Sequence, residues 1–260
     1  MPTIDIDGVR FDYTDTGSGI AVVFVPGLCG SREWFWYQSA GLADHFRVIA
    51  LDLRRAGGPD YTLDLLVDDV AKLLTALRVH AAAVAGHSLG GLVALRFALS
   101  HADRCLALVL SSTMPSYASV SEDQIISDLM LGELRPDSFW LRLRRSVFGS
   151  RQPKEDLSDP LAHLARYNGD IDRATLHARL KLMQQTDLTA QLGEINAPVL
   201  IVAGSREEPY ILAGSQLMDQ ELPDSCLEVI EDADQFHFYL RHDQFNAAVT
   251  DFLLHNVARP

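Results

Sequence analysis

Six short, mostly apolar runs, spaced by stretches of helical periodicity, set the layout of this chain. Residues 21–25 (AVVFV) are apolar at every position and rich in β-branched side chains, and they stop at Pro26-Gly27. That pattern predicts a buried strand ended by turn chemistry. Residues 47–51 (RVIAL) repeat it before Asp52-Leu53-Arg54-Arg55 and a Gly-Gly-Pro break. Residues 81–85 (AAAVA), 106–110 (LALVL), 198–203 (PVLIVA) and 226–230 (CLEVI) supply four more such runs. Between them, Leu65, Leu66, Val70, Leu73, Leu74 and Leu77 recur at helical spacing across 61–77, and 91–100 reads as a second helix. Strands apolar on both faces and alternating with helices indicate an α/β fold, a mostly parallel sheet flanked by helices on both sides. The alternating segment 3–14 predicts an antiparallel strand or hairpin arm.

From Thr113 to about Leu192 the strand signal disappears. Helical periodicity replaces it, with Leu129, Met130, Phe139, Trp140 and Phe148 among its bulky apolar residues and breaks at Pro136, Pro153 and Pro160. We read 1–260 as a single domain in which 114–192 is a helical lid inserted between sheet strands. Arg142, Arg144 and Arg145 fit a solvated helix face, with an anionic ligand as the alternative.

Composition narrows the partners. The 260 residues are 48% apolar and 22% charged, an ordinary globular profile, with a formal charge of −13. So acidic a chain is a poor partner for nucleic acid or an anionic membrane, both of which attract cations. The first residues carry acids and no basic segment leading into an apolar core, so a signal peptide is not expected. Cys29, Cys105 and Cys226 are odd in number and widely spaced, which fits reduced thiols in a cytoplasmic protein and neither a disulfide framework nor a zinc site. Cys105 and Cys226 read as small core residues. Gly17-Ser18-Gly19 precedes a strand and is a turn, not a dinucleotide-binding loop.

The chemistry concentrates at Gly86-His87-Ser88-Leu89-Gly90, which matches the nucleophile elbow Gly-x-Ser-x-Gly after a strand and before a helix. The turn is so sharp that a side chain two positions either side of the serine would strike backbone, so glycine is required there. The following helix aims its N-terminal amides at the site and favours developing negative charge.

On these residues the chain resembles the α/β-hydrolase superfamily over nearly its whole length. Pro26-Gly27-Leu28-Cys29-Gly30 resembles the family's His-Gly-x-x-Gly loop, with Pro26 in place of His. Asp52-Leu53-Arg54-Arg55-Ala56-Gly57 resembles its Asp-x-Arg-Gly-x-Gly loop, with Arg55 in place of Gly. The resemblance implies the α/β-hydrolase fold and an oxyanion hole formed by the backbone N–H groups of Leu28 and Leu89. Cys29 is expected to line the pocket, and Trp140 in the lid to contact substrate.

A serine hydroxyl needs a base, and the base an orienting acid. The family order is Ser, acid, His. The acid is expected in Gly204-Ser205-Arg206-Glu207-Glu208-Pro209: counting from the glycine gives Glu207, counting back from the proline gives Glu208. His237 follows the last strand, while His242 and His255 belong to the final helix and its surface. Yet the family spacing puts Gln235, two residues earlier, at the usual His position, and an amide cannot accept a proton at neutral pH. Two readings stay open. The first is a hydrolase of a small or medium carboxylic ester, thioester or lactone, with Ser88 as nucleophile, His237 as base and Glu207 as acid, acting through an acyl-enzyme. The second is a ligand-binding or lyase-like member of the fold with an altered triad. Ser at the elbow argues against the carboxylate-nucleophile chemistry of haloalkane dehalogenases and epoxide hydrolases. Neither reading calls for a metal or organic cofactor; a small-molecule substrate is expected, and oligomeric state is not legible. Trp34 and Trp36, near the oxyanion loop, favour an apolar acyl or aromatic group.

Overall fold

The apolar runs become the central strands of an eight-stranded sheet in the structure, a computed structural model that describes residues 2–56, 61–125, 164 and 171–257. The strands are β1 (Thr3–Ile6), β2 (Val9–Thr16), β3 (Ala21–Val25), β4 (Arg47–Leu51), β5 (Ala82–His87), β6 (Cys105–Ser111), β7 (Val199–Gly204) and β8 (Ser225–Ile230). Their order is β1-β2-β4-β3-β5-β6-β7-β8. The expected hairpin arm is present: β1 and β2 pair antiparallel across Asp7-Gly8. Both turn residues have positive φ, 53° and 75°, the signature of a type I′ turn whose twist matches the flanking strands. β2 also pairs antiparallel with β4, and every later pairing is parallel.

Pleating explains why the inner strands are apolar throughout. On β3, Val23 and Val25 enter one core, while Val22 and Phe24 enter the other. The first core packs the sheet against α2 (Leu63–Ala76), α3 (Leu89–Ser100), α4 (Arg173–Gln185) and α5 (Pro209–Glu221). The second packs it against α1 (Trp36–Gly41), α6 (His237–Leu240) and α7 (His242–Asn256), with the rings of Trp34, Phe35, Phe236, Phe238 and Phe245 between. β8 lies at the sheet edge with Val229 exposed, and Cys226 is exposed there too, against the core position read for it. An edge strand has one unpaired side, so its residues are less enclosed. Cys105, two strands inward, is buried as expected.

The strand order reverses at β3, which lies between β4 and β5. In open parallel sheets, a crevice for ligand opens at the strand C-termini where the order reverses. Pro26-Gly27-Leu28 leaves β3 there and Ser88 leaves β5 beside it. Of the segment 114–192, the described residues include α4 and a 3-10 turn at Thr189–Glu194. Leu129, Met130, Phe139, Trp140, Arg142, Arg144, Arg145 and Phe148 lie outside the described residues.

Candidate active site

β5 runs through His87 and α3 begins at Leu89, so the turn narrows to one residue, Ser88, with φ 52° and ψ −116°. A non-glycine residue in that region is strained and held by its surroundings. Three contacts hold it: the Ser88 N–H donates to the Ser111 carbonyl at 3.0 Å, and its carbonyl accepts from the Gly91 N–H and the Thr113 hydroxyl, both at 2.8 Å. The flanking glycines are forced by close approach. A Cβ on Gly86 would sit 2.1 Å from the Gly90 carbonyl oxygen, and one on Gly90 would sit 2.1 Å from that of Val25. Helix α3 therefore starts two residues earlier than the periodicity indicated, because two glycines in its first turn mask the pattern.

The loop after β3 is fixed from two sides. Gly30 N–H donates to the Gly27 carbonyl at 3.2 Å, which orients the Gly27–Leu28 peptide. The planar trans peptide then fixes the direction of the Leu28 N–H. Arg179 of α4 holds the Leu28 carbonyl at 2.7 Å. That guanidinium, 3% exposed, also donates to the Leu53 and Arg54 carbonyls and to the Tyr61 hydroxyl. Leu89 opens α3, so its N–H has no partner within the helix. Asp52 accepts from the Arg32 backbone at 2.7 Å and from its guanidinium, which ties the loop after β4 to that after β3. Cys29 is buried, and burial, opposed by the Arg179 charge, pushes its thiol up to about 11. It is a neutral wall of the site at ordinary pH. Trp34 is enclosed and donates to the Leu164 carbonyl at 3.1 Å, whereas Trp36 is 59% exposed.

Glu207, His237 and Ser112 meet at the ends of β7, β8 and β6. Glu207 Oε1 accepts from Gly204 N–H and from the Ser112 hydroxyl, each at 2.7 Å, and lies 3.3 Å from His237 Nδ1. Nδ1 is also 3.1 Å from the Asp234 carbonyl. Glu208 stands at the N-cap position of α5 instead, where its side chain makes no capping hydrogen bond. His237 Nε2, however, faces Ser111 Oγ at 3.1 Å, and among the described residues no hydrogen bond joins it to Ser88. The structure thus brings Glu207 and His237 together, and Ser88 and the Leu28 and Leu89 amides together, without a direct bond between the two sets. Gln235 lends its carbonyl to the Ser112 hydroxyl at 3.1 Å. His242 stacks on Tyr37 at 3.9 Å and His255 is exposed, so neither approaches the site.

Arg179 and Tyr117 were not found from the sequence, and His87, the variable residue of the elbow, carries no catalytic role there. Arg179 lies on a helix whose pattern gives no sign that a charge points inward. Tyr117, buried, carries a hydroxyl without a hydrogen-bond partner; burial pushes it up to about 12 against the influence of the neighbouring Thr113 and Ser88 hydroxyls. We take the phenol as close to Ser88 but out of bonding geometry. His87 is enclosed by Trp34, Phe236 and Phe238, and burial, reinforced by His237, pushes its imidazole down to about 3. Its pKa falls on folding, so the unfolded chain takes up the proton first. Stability should decline as pH falls from about 6.5 towards 3, with a slope of up to about 1.4 kcal/mol per pH unit. Asp52, Asp69 and Asp234, raised by burial, act in the opposite sense at and just above the ordinary carboxylate range, where the folded chain takes up their protons first. Urea unfolding of His87→Leu against the parent at pH 7 and 4.5 isolates the histidine: the parent should lose more stability, and equal losses would refute the assignment.

Among the described residues no cluster of three His, Cys, Asp or Glu is placed to hold a metal, and no helix is long and apolar enough to cross a membrane. A family profile described as alpha/beta hydrolase fold matches residues 20–241. The chain is 28% identical, over 97% of its length and 99% of theirs, to a Bacillus subtilis (strain 168) protein provisionally named 2-succinyl-6-hydroxy-2,4-cyclohexadiene-1-carboxylate synthase. It is also 28% identical to the pimeloyl-[acyl-carrier protein] methyl ester esterase of Aeromonas hydrophila subsp. hydrophila, covering 91% of this chain and 96% of that one. A crystal structure of a hydrolase from Pseudomonas aeruginosa PA01 superposes with a TM-score of 0.76 at 24% identity, over 97% of each chain.

Proposed function

The chain belongs to the alpha/beta hydrolase fold family, and from that premise we propose that it hydrolyses a small or medium carboxylic ester, thioester or lactone through Ser88. The observation that carries the reading is the strained, partly exposed Ser88 at the head of α3, at the C-terminal crevice of the sheet. Ser88 Oγ attacks the acyl carbon while its proton passes to His237 Nε2. Glu207, at 3.3 Å from Nδ1, keeps the ring proton on that nitrogen and stabilises the imidazolium. The Leu28 and Leu89 N–H groups receive the oxyanion, each on the order of 10²–10³ in rate. The imidazolium protonates the leaving group, and water then releases the acyl group by the same steps in reverse roles. Catalytic hydrogen bonds are often long or misaligned without substrate, so the Ser111 contact of His237 is compatible with this cycle. The reading places a small-molecule reaction in the cytoplasm. The esterase relative supports an ester bond as target.

A second reading draws on two observations: His237 Nε2 faces Ser111 instead of Ser88, and Gln235 holds the family's His position. It makes the chain a ligand-binding or lyase-like protein, and the synthase relative favours it. A fluorophosphonate probe decides. Rapid labelling of Ser88 that is lost in His237→Ala supports the hydrolase; labelling absent in the parent and gained in Gln235→His supports the second reading. An aryl ester panel of increasing acyl length should then show a maximum in kcat/KM, and indifference to acyl size would count against a shaped apolar acyl pocket.

A further inference from the structure

Four buried polar groups from four different strand ends form one chain. Glu207 Oε1 lies 3.3 Å from His237 Nδ1, His237 Nε2 lies 3.1 Å from Ser111 Oγ, and Ser111 Oγ lies 3.4 Å from His87 Nδ1. None of the four residues is more than 7% exposed. One arrangement of protons satisfies the whole chain. The Ser112 hydroxyl donates to Glu207, so it has no proton left for Nδ1 of His237. Nδ1 therefore carries its own proton, directed at Glu207 and the Asp234 carbonyl. That leaves Nε2 a lone pair, which accepts the Ser111 hydroxyl. Ser111 Oγ in turn accepts Nδ1–H of His87. His87 Nε2 ends the chain as a bare lone pair among the rings of Trp34, Phe236 and Phe238, which is why it has no partner. The reverse order would bury an unpaired N–H at His87 and turn the bare lone pair of His237 Nδ1 towards two acceptors, Glu207 Oε1 and the Asp234 carbonyl.

We infer that Ser111 is a positioning residue that holds the general base away from the nucleophile, so that Ser88 is activated only when His237 Nε2 exchanges the Ser111 hydroxyl for that of Ser88. The inference rests on the reading of Ser88 and His237 as nucleophile and base. The nitrogen that must receive the Ser88 proton is the one that Ser111 occupies. Ser111 itself, 4% exposed, is no rival nucleophile, because substrate cannot reach it. Its backbone carbonyl accepts the Ser88 N–H, so the same residue anchors the elbow and restrains the base. The groups facing His237 are Glu207 from the end of β7, the Asp234 carboxyl and carbonyl from its own loop, Ser111 and Ser112 from the end of β6, and His87 from β5. Among the described residues only Ser111 meets Nε2.

The test is the rate at which a fluorophosphonate labels Ser88 in the parent, Ser111→Ala and His237→Ala. Alanine removes one oxygen and no volume that the core needs, and it leaves Nε2 without a donor. Labelling of Ser111→Ala should be on the order of tenfold faster than that of the parent, the rate equivalent of one neutral hydrogen bond no longer broken before reaction. Equal or slower labelling in Ser111→Ala, with labelling still lost in His237→Ala, overturns the restraint and leaves the base assignment standing. Labelling undiminished in His237→Ala overturns the base assignment itself. A measurement on the parent does not depend on either variant: nitrogen-15 spectra of the His237 ring should show the Nδ1–H form, and an Nε2–H form would overturn the inference.

Discussion

Ser88→Ala should lower kcat/KM towards an aryl ester by about 10⁴–10⁶-fold while leaving the fold and substrate affinity intact. The size follows from what the hydroxyl does in the proposed cycle. Without it there is no acyl-enzyme, and the remaining rate comes from the Leu28 and Leu89 amides and from binding. Alanine fits the elbow no worse than serine, since the strain at φ 52° is set by the backbone contacts to Ser111, Gly91 and Thr113 and not by the hydroxyl. Thermal unfolding of the variant should therefore match the parent within about 1 kcal/mol. Steady-state kinetics and a melting curve on the same preparation check both halves. A drop of less than tenfold with an unchanged melt would show that the turnover does not pass through Ser88.

Arg179→Leu should cost about 3–5 kcal/mol of stability, read as a lowered urea midpoint at an unchanged slope. The guanidinium bridges α4 to the loops after β3 and β4. Removing it leaves the Leu28, Leu53 and Arg54 carbonyls and the Tyr61 hydroxyl in a dry environment without their donor. Each unmet group carries a desolvation penalty that leucine cannot offset. The Leu28 peptide loses its anchor as well, so any residual folded enzyme should show kcat reduced on the order of 10²-fold. Arg179→Lys should fall between, because an ammonium keeps the charge but cannot span the positions of a planar fork. If both variants unfold like the parent, the oxyanion loop is held by its own turn and Arg179 is incidental.

The sheet was legible because burial on both faces leaves a plain trace: each of the six apolar runs became a strand to within a residue or two. The elbow was legible because close approach at Gly86 and Gly90 tolerates no side chain, whereas the two counts through 204–209 left Glu207 and Glu208 both open, and only the fold shows that Glu207 is the one beside His237. What the sequence did not reveal has a common physical cause. Arg179, Tyr117 and Ser111 act through contacts with residues remote in the chain, and a lone arginine on a helix or a serine at a strand end carries no periodic signature. The direction of the His237 ring was likewise out of reach. Position after β8 says which loop the imidazole occupies, but the partner of Nε2 is decided by the packing of Phe238 and Phe245 against it and by Ser111 from across the sheet.

Leu108 on β6 pairs with Val199 on β7, its neighbour in the sheet, although residues 112–198 separate the two strands in the chain. Closing so long an excursion is slow, which places this pairing late in folding. The entropy of closure, however, rises only with the logarithm of length, about 0.6 kcal/mol for each doubling. The excursion can therefore change length at little entropic penalty, provided that α4 keeps the Arg179 contacts to the loops after β3 and β4. On the proposed reading the reacting groups stand on strand ends outside this excursion, so exchanging the part of it that precedes α4 for that of a relative should leave fluorophosphonate labelling of Ser88 in place.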